Sequence, residues 1–129
     1  MSRKQSREAA FKIIYAISFS NDDQDPATLP DENAKAELDI EYIQGLVKVT
    51  KDNLEQIDEK IRTASKDFTF DRIYKTDLAA LRLGLAEGIF MPGETPVPVI
   101  IAAAVDLAKK YGEASPGFVN GILASILNN

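Results

Sequence analysis

The sequence predicts an all-α protein, a compact helical bundle of five main helices plus short helical segments. Three observations carry that expectation. Apolar residues recur at helical spacing in five separate stretches. Proline, glycine and asparagine or aspartate clusters fall between those stretches rather than inside them. No stretch shows the strict alternation of a half-buried strand. At 129 residues the chain is expected to form one domain spanning positions 1–129.

The first helix is expected from residue 3 to 19, because Ala10, Ile13, Ile14 and Ile17 fall at i, i+3, i+4 and i+7. The turn formers from Asn21 to Pro26 end it, and the acidic segment that follows, to Asp39, reads as a loop with a short helical suggestion over 31–37. Ile40, Ile43, Val47, Leu54, Ile57 and Ile61 then form a heptad seam with Thr50 at the skipped position, which calls for one long helix or two stacked ones. Phe68, Phe70 and Ile73 suggest a short turn leading to Thr76, whose hydroxyl is expected to cap a helix opening with Asp77. Leu78, Leu81, Leu85 and Ile89 should line that helix's inner face. Met91 to Pro96 forces a turn. Pro98 then opens a helix running to Lys110 and stopped by Gly112, and Ser115-Pro116 opens the last one, with Phe118, Ile122, Leu123 and Ile126 as its stripe. Gly121, inside that helix, is expected to permit close packing.

Composition removes whole classes of function. With no Cys and no His, disulfides, thiol nucleophiles, imidazole bases and Cys/His metal sites are all excluded. No phosphate loop, dinucleotide fingerprint or nucleophile elbow occurs. The run Asp22-Asp23-Gln24-Asp25 lacks the glycine and terminal glutamate of a calcium loop, so no metal and no cofactor is expected, and no enzyme. No apolar run approaches the roughly 18 residues that a membrane span needs, and a cytoplasmic protein with no membrane partner is expected. Residues 11–19 resemble a short signal segment, but Lys12 interrupts them and no cleavage site follows.

The net charge of −5 conceals a sign change along the chain. Arg3, Lys4, Arg7 and Lys12 face only Glu8 among the first twelve residues, whereas residues 13–42 hold a single base, Lys35, against eight acids. A basic patch can therefore survive on an acidic protein.

On the first helix, Lys4, Arg7, Phe11, Tyr15 and Ser18 fall within an arc of about 80° opposite Ile13 and Ile17, with Arg3 flanking it and Lys12 farther around. Cations for phosphates together with aromatic faces for unstacked bases form the combination that single-stranded nucleic acid requires. Three cations in the first two turns also oppose the helix dipole, which favours an anionic partner. Two other readings compete. Phe11 and Tyr15 can pack under a neighbouring helix while the cations solvate a frayed end, or the helix can lie on a membrane surface. Lys109 and Lys110 are expected to serve the dipole at a helix C-terminus.

Four segments carry a family resemblance: Arg7-Glu8-Ala9-Ala10 through Tyr15, Leu81 through Glu87, Val105 through Gly112, and Ser115 followed by Phe118-Val119-Asn120-Gly121-Ile122-Leu123. In order and spacing they resemble the transcription antitermination factor NusB family over almost the full length, with the region 20–39 matching only weakly. The resemblance implies an RNA-binding antitermination factor that, with the ribosomal small-subunit protein NusE, recognises single-stranded boxA-type RNA in nascent transcripts and supports ribosomal RNA transcription. Other Nus factors and RNA polymerase are the wider partners it implies. Carried onto this sequence, the RNA-binding residues are Arg3, Lys4, Arg7, Tyr15 and Phe118, and the stripe on the first helix adds Phe11 to them. Asp77 falls on the NusE side, and Glu87 is grouped with it although its individual role stays open. The departures are Gln5 where an arginine is common, Ala102-Ala103 in place of an Asn-Glu pair, and Ala114 where an acid is common. A helical protein-protein adaptor of the same fold, without RNA binding, is the alternative.

Overall fold

A computed structural model describes residues 3–18, 39–65, 70–112 and 116–128. Among them lie helices α1 (Arg3–Ile17), α2 (Ile40–Asp52), α3 (Leu54–Ala64), α4 (Lys75–Phe90), α5 (Val97–Tyr111) and α6 (Pro116–Leu127), with a 3₁₀ turn at Phe70–Arg72. No strand occurs among the described residues. The expected helix at 31–37, the acid run at 22–25, Phe68, Ala114 and the proposed cap Ser115 lie outside them.

The heptad seam is realised as two helices. Thr50 bonds its hydroxyl back to the Leu46 carbonyl at 2.7 Å, and the Asn53 side chain donates to the Val49 carbonyl at 2.8 Å. The Val49 carbonyl also accepts the Asn53 backbone N–H at 3.2 Å, and the break falls at Asn53 itself, whose φ of −121° and ψ of 21° depart from helical values before α3 restarts at Leu54. Asp39 opens α2 by accepting from the Tyr42 backbone N–H at 3.0 Å, while its own N–H donates to Ser6 of α1 at 3.1 Å.

Helix α4 is the axis of the bundle and packs against all five other helices. Every residue from Asp77 to Glu87 is buried. A helix covered on all sides has no polar face, which is why the four-residue inner face expected from the sequence was too narrow; Ala79, Ala80, Leu83 and Ala86 are buried as well, and Ile89 only half so. The helix also starts earlier than expected. The Tyr74 carbonyl accepts from Leu78 at 2.8 Å, so Thr76 sits within the first turn rather than capping it.

Two charged pairs fasten this axis to its neighbours. Arg82 grips Asp58 of α3 through bonds of 2.9 and 2.8 Å and reaches Ser18, just beyond α1, at 3.2 Å. Arg7 of α1 grips Glu87 in the same bidentate manner. Between α4 and α6 the helices close at Gly84, where a Cβ would lie 3.1 Å from the Leu123 methyls. The role expected of Gly121 is not observed: a Cβ there meets nothing within 4 Å, and nothing in the structure explains that glycine. No helix among the described residues is long and apolar enough to cross a membrane.

Candidate nucleic-acid interface

The arc predicted on α1 exists, but the rest of the bundle covers part of it. A helical wheel fixes the angles between side chains and not which of them neighbouring helices will hide. Helices α2 and α4 pack on α1, and with them Arg7 and Phe11 become buried at 6% and 2% exposure. Arg3 and Lys4 remain exposed and Tyr15 is half-buried.

Arg7 is therefore corrected from an outward cation to the centre of an internal network. Its Nε donates to Glu87 Oε1 at 2.8 Å and its Nη2 to Oε2 at 3.0 Å, with a further bond from Nη2 to the Thr95 hydroxyl at 3.2 Å. Glu87 Oε2 also accepts from Tyr42 Oη at 2.8 Å and from Thr95 Oγ1 at 2.9 Å. Burial opposes charge on both partners, yet their mutual hydrogen bonds and attraction prevail: the Glu87 pKa is lowered and that of Arg7 raised. Burial and the nearby Glu87 charge push the Tyr42 phenol upward, keeping it a donor. Glu87, 1% exposed, is an internal acceptor with its oxygens already engaged, which corrects its grouping with a protein-partner surface.

Phe11 serves the site from beneath. Its ring lies between those of Tyr15 and Tyr111, with centroids 6.3 and 5.3 Å away and interplanar angles of 20° and 27°. The three rings form a ladder across the junction of α1 with the end of α5. With Lys12 and Thr76 they line a cavity of about 270 Å³. Lys12 and Lys110, both exposed, stand 5.9 and 5.5 Å from the Tyr111 ring centroid. Gly112 allows α5 to end here: a Cβ would come within 2.7 Å of the Ala108 carbonyl and 2.8 Å of the Thr76 hydroxyl.

Sequence reasoning gave Tyr111 no site role and gave Lys110 only the helix dipole. Lys110 Nζ instead donates to Glu8 Oε2 at 2.8 Å, and the Tyr111 hydroxyl donates to the same oxygen. The Lys110 bond, and then the Tyr111 bond, hold the Glu8 carboxyl below its ordinary range. Nothing in sequence spacing signals a pair 102 residues apart.

Arg3 lies 3.9 Å above the Tyr42 ring and 3.8 Å from Asp39, at the start of α2. A second strip of the edge is thus Arg3 over Tyr42, with Tyr42 tied in turn to Glu87. Phe118 is half-buried on the first turn of α6, a helix that packs mainly on α4 and α5. Asp77 is 2% exposed, and its Oδ1 has no hydrogen-bond partner among the described residues. Burial raises its pKa. Ala102, one of the departures, opens onto a groove of about 610 Å³ between α5 and α6 that also exposes Asp106, Lys109 and Asn120. No group of three or more acidic side chains capable of holding a metal ion occurs among the described residues.

The chain is similar along nearly its whole length to known proteins. A transcription antitermination protein NusB from Natranaerobius thermophilus is 38% identical over 99% of this chain and 96% of its own. One from Acetivibrio thermocellus is 40% identical over 98% and 89%. Among solved structures, NusB of T. maritima superposes with a TM-score of 0.81 at 29% identity, covering 100% of this chain and 92% of that one. A chain from a crystal structure of the antitermination factors NusB and NusE in complex with double-stranded RNA superposes at 0.77 with 30% identity, over 98% and 96%. The NusB family model itself matches residues 4–128, a span that holds the ring ladder, the buried Arg7–Glu87 pair and every helix except the first residue of α1, and the chain belongs to the NusB family.

Proposed function

We propose that this chain is an RNA-binding transcription antitermination factor that works with NusE, recognises single-stranded boxA-type RNA in nascent transcripts and supports ribosomal RNA transcription. It acts as a scaffold without bond chemistry. Family membership, together with a similar solved chain found with NusE and RNA, supports the class of function. The observation that carries the reading for this chain is the ladder Tyr15–Phe11–Tyr111, flanked by exposed cations on a protein of net charge −5. Arg3, Lys4 and Lys12 supply phosphate contacts, Tyr15 a base face, and Phe118 a second contact on α6. Phe11 and Arg7 hold the edge from within. The start of α4, where Asp77 lies buried with an oxygen that has no partner among the described residues, is the side assigned to NusE. Other Nus factors and RNA polymerase complete the assembly in this reading.

The burial of Arg7 thins the basic strip and favours one competitor, an adaptor of the same fold that binds protein and not RNA. Titration of labelled boxA-type RNA with and without NusE, at two salt concentrations, separates them. RNA binding that tightens when NusE is added supports the antitermination reading. NusE binding without any RNA binding supports the adaptor. A duplex of the same sequence, included as a second probe, tests the preference for single strands.

A further inference from the structure

We propose that Glu8 is a resident counter-anion at the RNA edge, holding Lys110 and Tyr111 in the free protein and yielding Lys110 to an RNA phosphate when one base enters the notch beside Tyr15 and Tyr111. The inference rests on the RNA reading above and adds its regulation: a carboxylate of the same helix competes with the ligand.

Four features of one small region support it. The notch is lined by three rings, one methylene-rich lysine stem and one threonine, and at about 270 Å³ it has room for a single flat base. The ladder presents roughly parallel ring planes, the arrangement onto which a base can continue a stack. Lys12 and Lys110 both lie within 6 Å of the Tyr111 ring, so a base there has two ammonium groups beside it for its flanking phosphates. One of these is already neutralised. Glu8 accepts from Lys110 at 2.8 Å while its side chain is only 19% exposed, against 59% for Lys110. The carboxylate is thus set into the surface with the ammonium lying over it from the solvent side, accessible to a competing anion. Carboxylate and phosphate oxygens use the same donor geometry, so the exchange breaks one N–H···O contact and makes another.

The exchange makes the affinity of this edge depend on an acid that never touches RNA. Exposed ion pairs contribute little individually, so the latch tunes binding rather than forbidding it. It also discriminates. A bare polyanion gains Lys110 only by displacing Glu8, whereas an RNA gains the stacking surface at the same step.

The test measures binding of a labelled single-stranded boxA-type oligonucleotide, in the presence of NusE, to the whole protein and to Glu8→Gln, Lys110→Gln, the double variant and Tyr111→Leu, over a salt series. Glu8→Gln is expected to tighten binding about two- to fivefold. Lys110→Gln is expected to weaken it and to reduce the log-log salt slope by about 0.7. In the Lys110→Gln background the gain from Glu8→Gln should largely vanish. Tyr111→Leu should weaken binding roughly fivefold or more for the base-bearing oligonucleotide and leave an abasic strand of equal length unchanged. Helical circular dichroism verifies that each variant is folded.

Additive effects of Glu8→Gln and Lys110→Gln overturn the proposal, because they mean only that a nearby negative charge was removed. A Tyr111→Leu loss that is the same for the abasic strand overturns the base notch. Substitutions that change NusE affinity in the absence of RNA show a protein-docking site and overturn it as well. If the wild-type protein with NusE binds no RNA at all, the functional reading and this inference fall together, an outcome distinct from binding that is indifferent to Glu8.

Discussion

The guanidinium of Arg7 and the carboxylate of Glu87 meet in the interior through two hydrogen bonds of 2.8 and 3.0 Å, although 80 residues separate them. The pair joins α1 to α4, and Tyr42 and Thr95 bring α2 and the α4–α5 connection onto the same carboxylate. Tyr42 in turn carries Arg3 on its ring. The network that holds the bundle therefore also sets the position of an exposed cation on the candidate RNA edge.

Removing one partner of a buried pair leaves the other charged and unanswered. Arg7→Ala is expected to destabilise the protein by about 3–5 kcal/mol, and Glu87→Ala by a similar amount. Urea titration followed by circular dichroism measures it. Arg7→Lys should recover only part of the loss, since an ammonium cannot make the paired contact. A change under about 1 kcal/mol for Arg7→Ala would mean that Arg7 is not held as described.

Arg3→Ala with Lys4→Ala should leave stability nearly unchanged, because both side chains are exposed. If both touch phosphates, the double variant lowers the log-log salt slope for single-stranded RNA by about 1.4. Fluorescence anisotropy at several salt concentrations reads this. An unchanged slope removes both residues from the interface. Arg7 is kept out of this test, since its loss of stability would pass for a loss of RNA binding.

Much of this fold is legible in the sequence because the helix signals are local. The Ile13/Ile17 stripe, the Pro98 start and the Gly112 stop depend on residues within a few positions of one another. The seam from Ile40 to Ile61 is legible as a period, while its division lies in the backbone of one residue, Asn53, at φ −121° and ψ 21°, which a period does not register. Burial of polar groups is the part that the sequence hides. Arg7, Asp58, Asp77, Arg82 and Glu87 read as surface residues by type, and only the meeting of distant helices makes them interior. Tyr111 escaped notice for the same reason, its partners Phe11 and Glu8 lying at the other end of the chain.

Asp77 is buried with an oxygen that has no donor among the described residues, and burial raises its pKa. The folded state then holds its proton more tightly than the unfolded chain does. Stability from this residue is greatest below its ordinary value of 3.8 and falls as pH rises through the raised one. Asp77→Asn should thus stabilise the free protein at neutral pH by about 1 kcal/mol. It should at the same time weaken NusE binding if a NusE donor normally answers that oxygen. Thermal unfolding alone and calorimetric titration with NusE measure the two effects. A variant less stable than wild type at pH 7 would show that the oxygen is already satisfied.

Glu87 has the opposite sign. Its pKa is lowered in the folded protein because the bonds from Arg7, Tyr42 and Thr95 outweigh the penalty of burial. The stability it contributes is fully present above the ordinary value near 4.5 and is lost as pH falls through the lowered one. Asp77 gains stability over part of the same acid range and masks the loss, so the measurement belongs in the Asp77→Asn background. There, the urea midpoint should hold level at neutral pH and fall steeply below about pH 4.5. Adding Glu87→Gln should lower the midpoint at neutral pH and flatten its acid dependence, because the amide does not titrate and cannot neutralise Arg7. An acid slope that survives Glu87→Gln unchanged would place the controlling carboxylate elsewhere. Glu8, whose pKa is also lowered, is the next to test, and it is far more exposed.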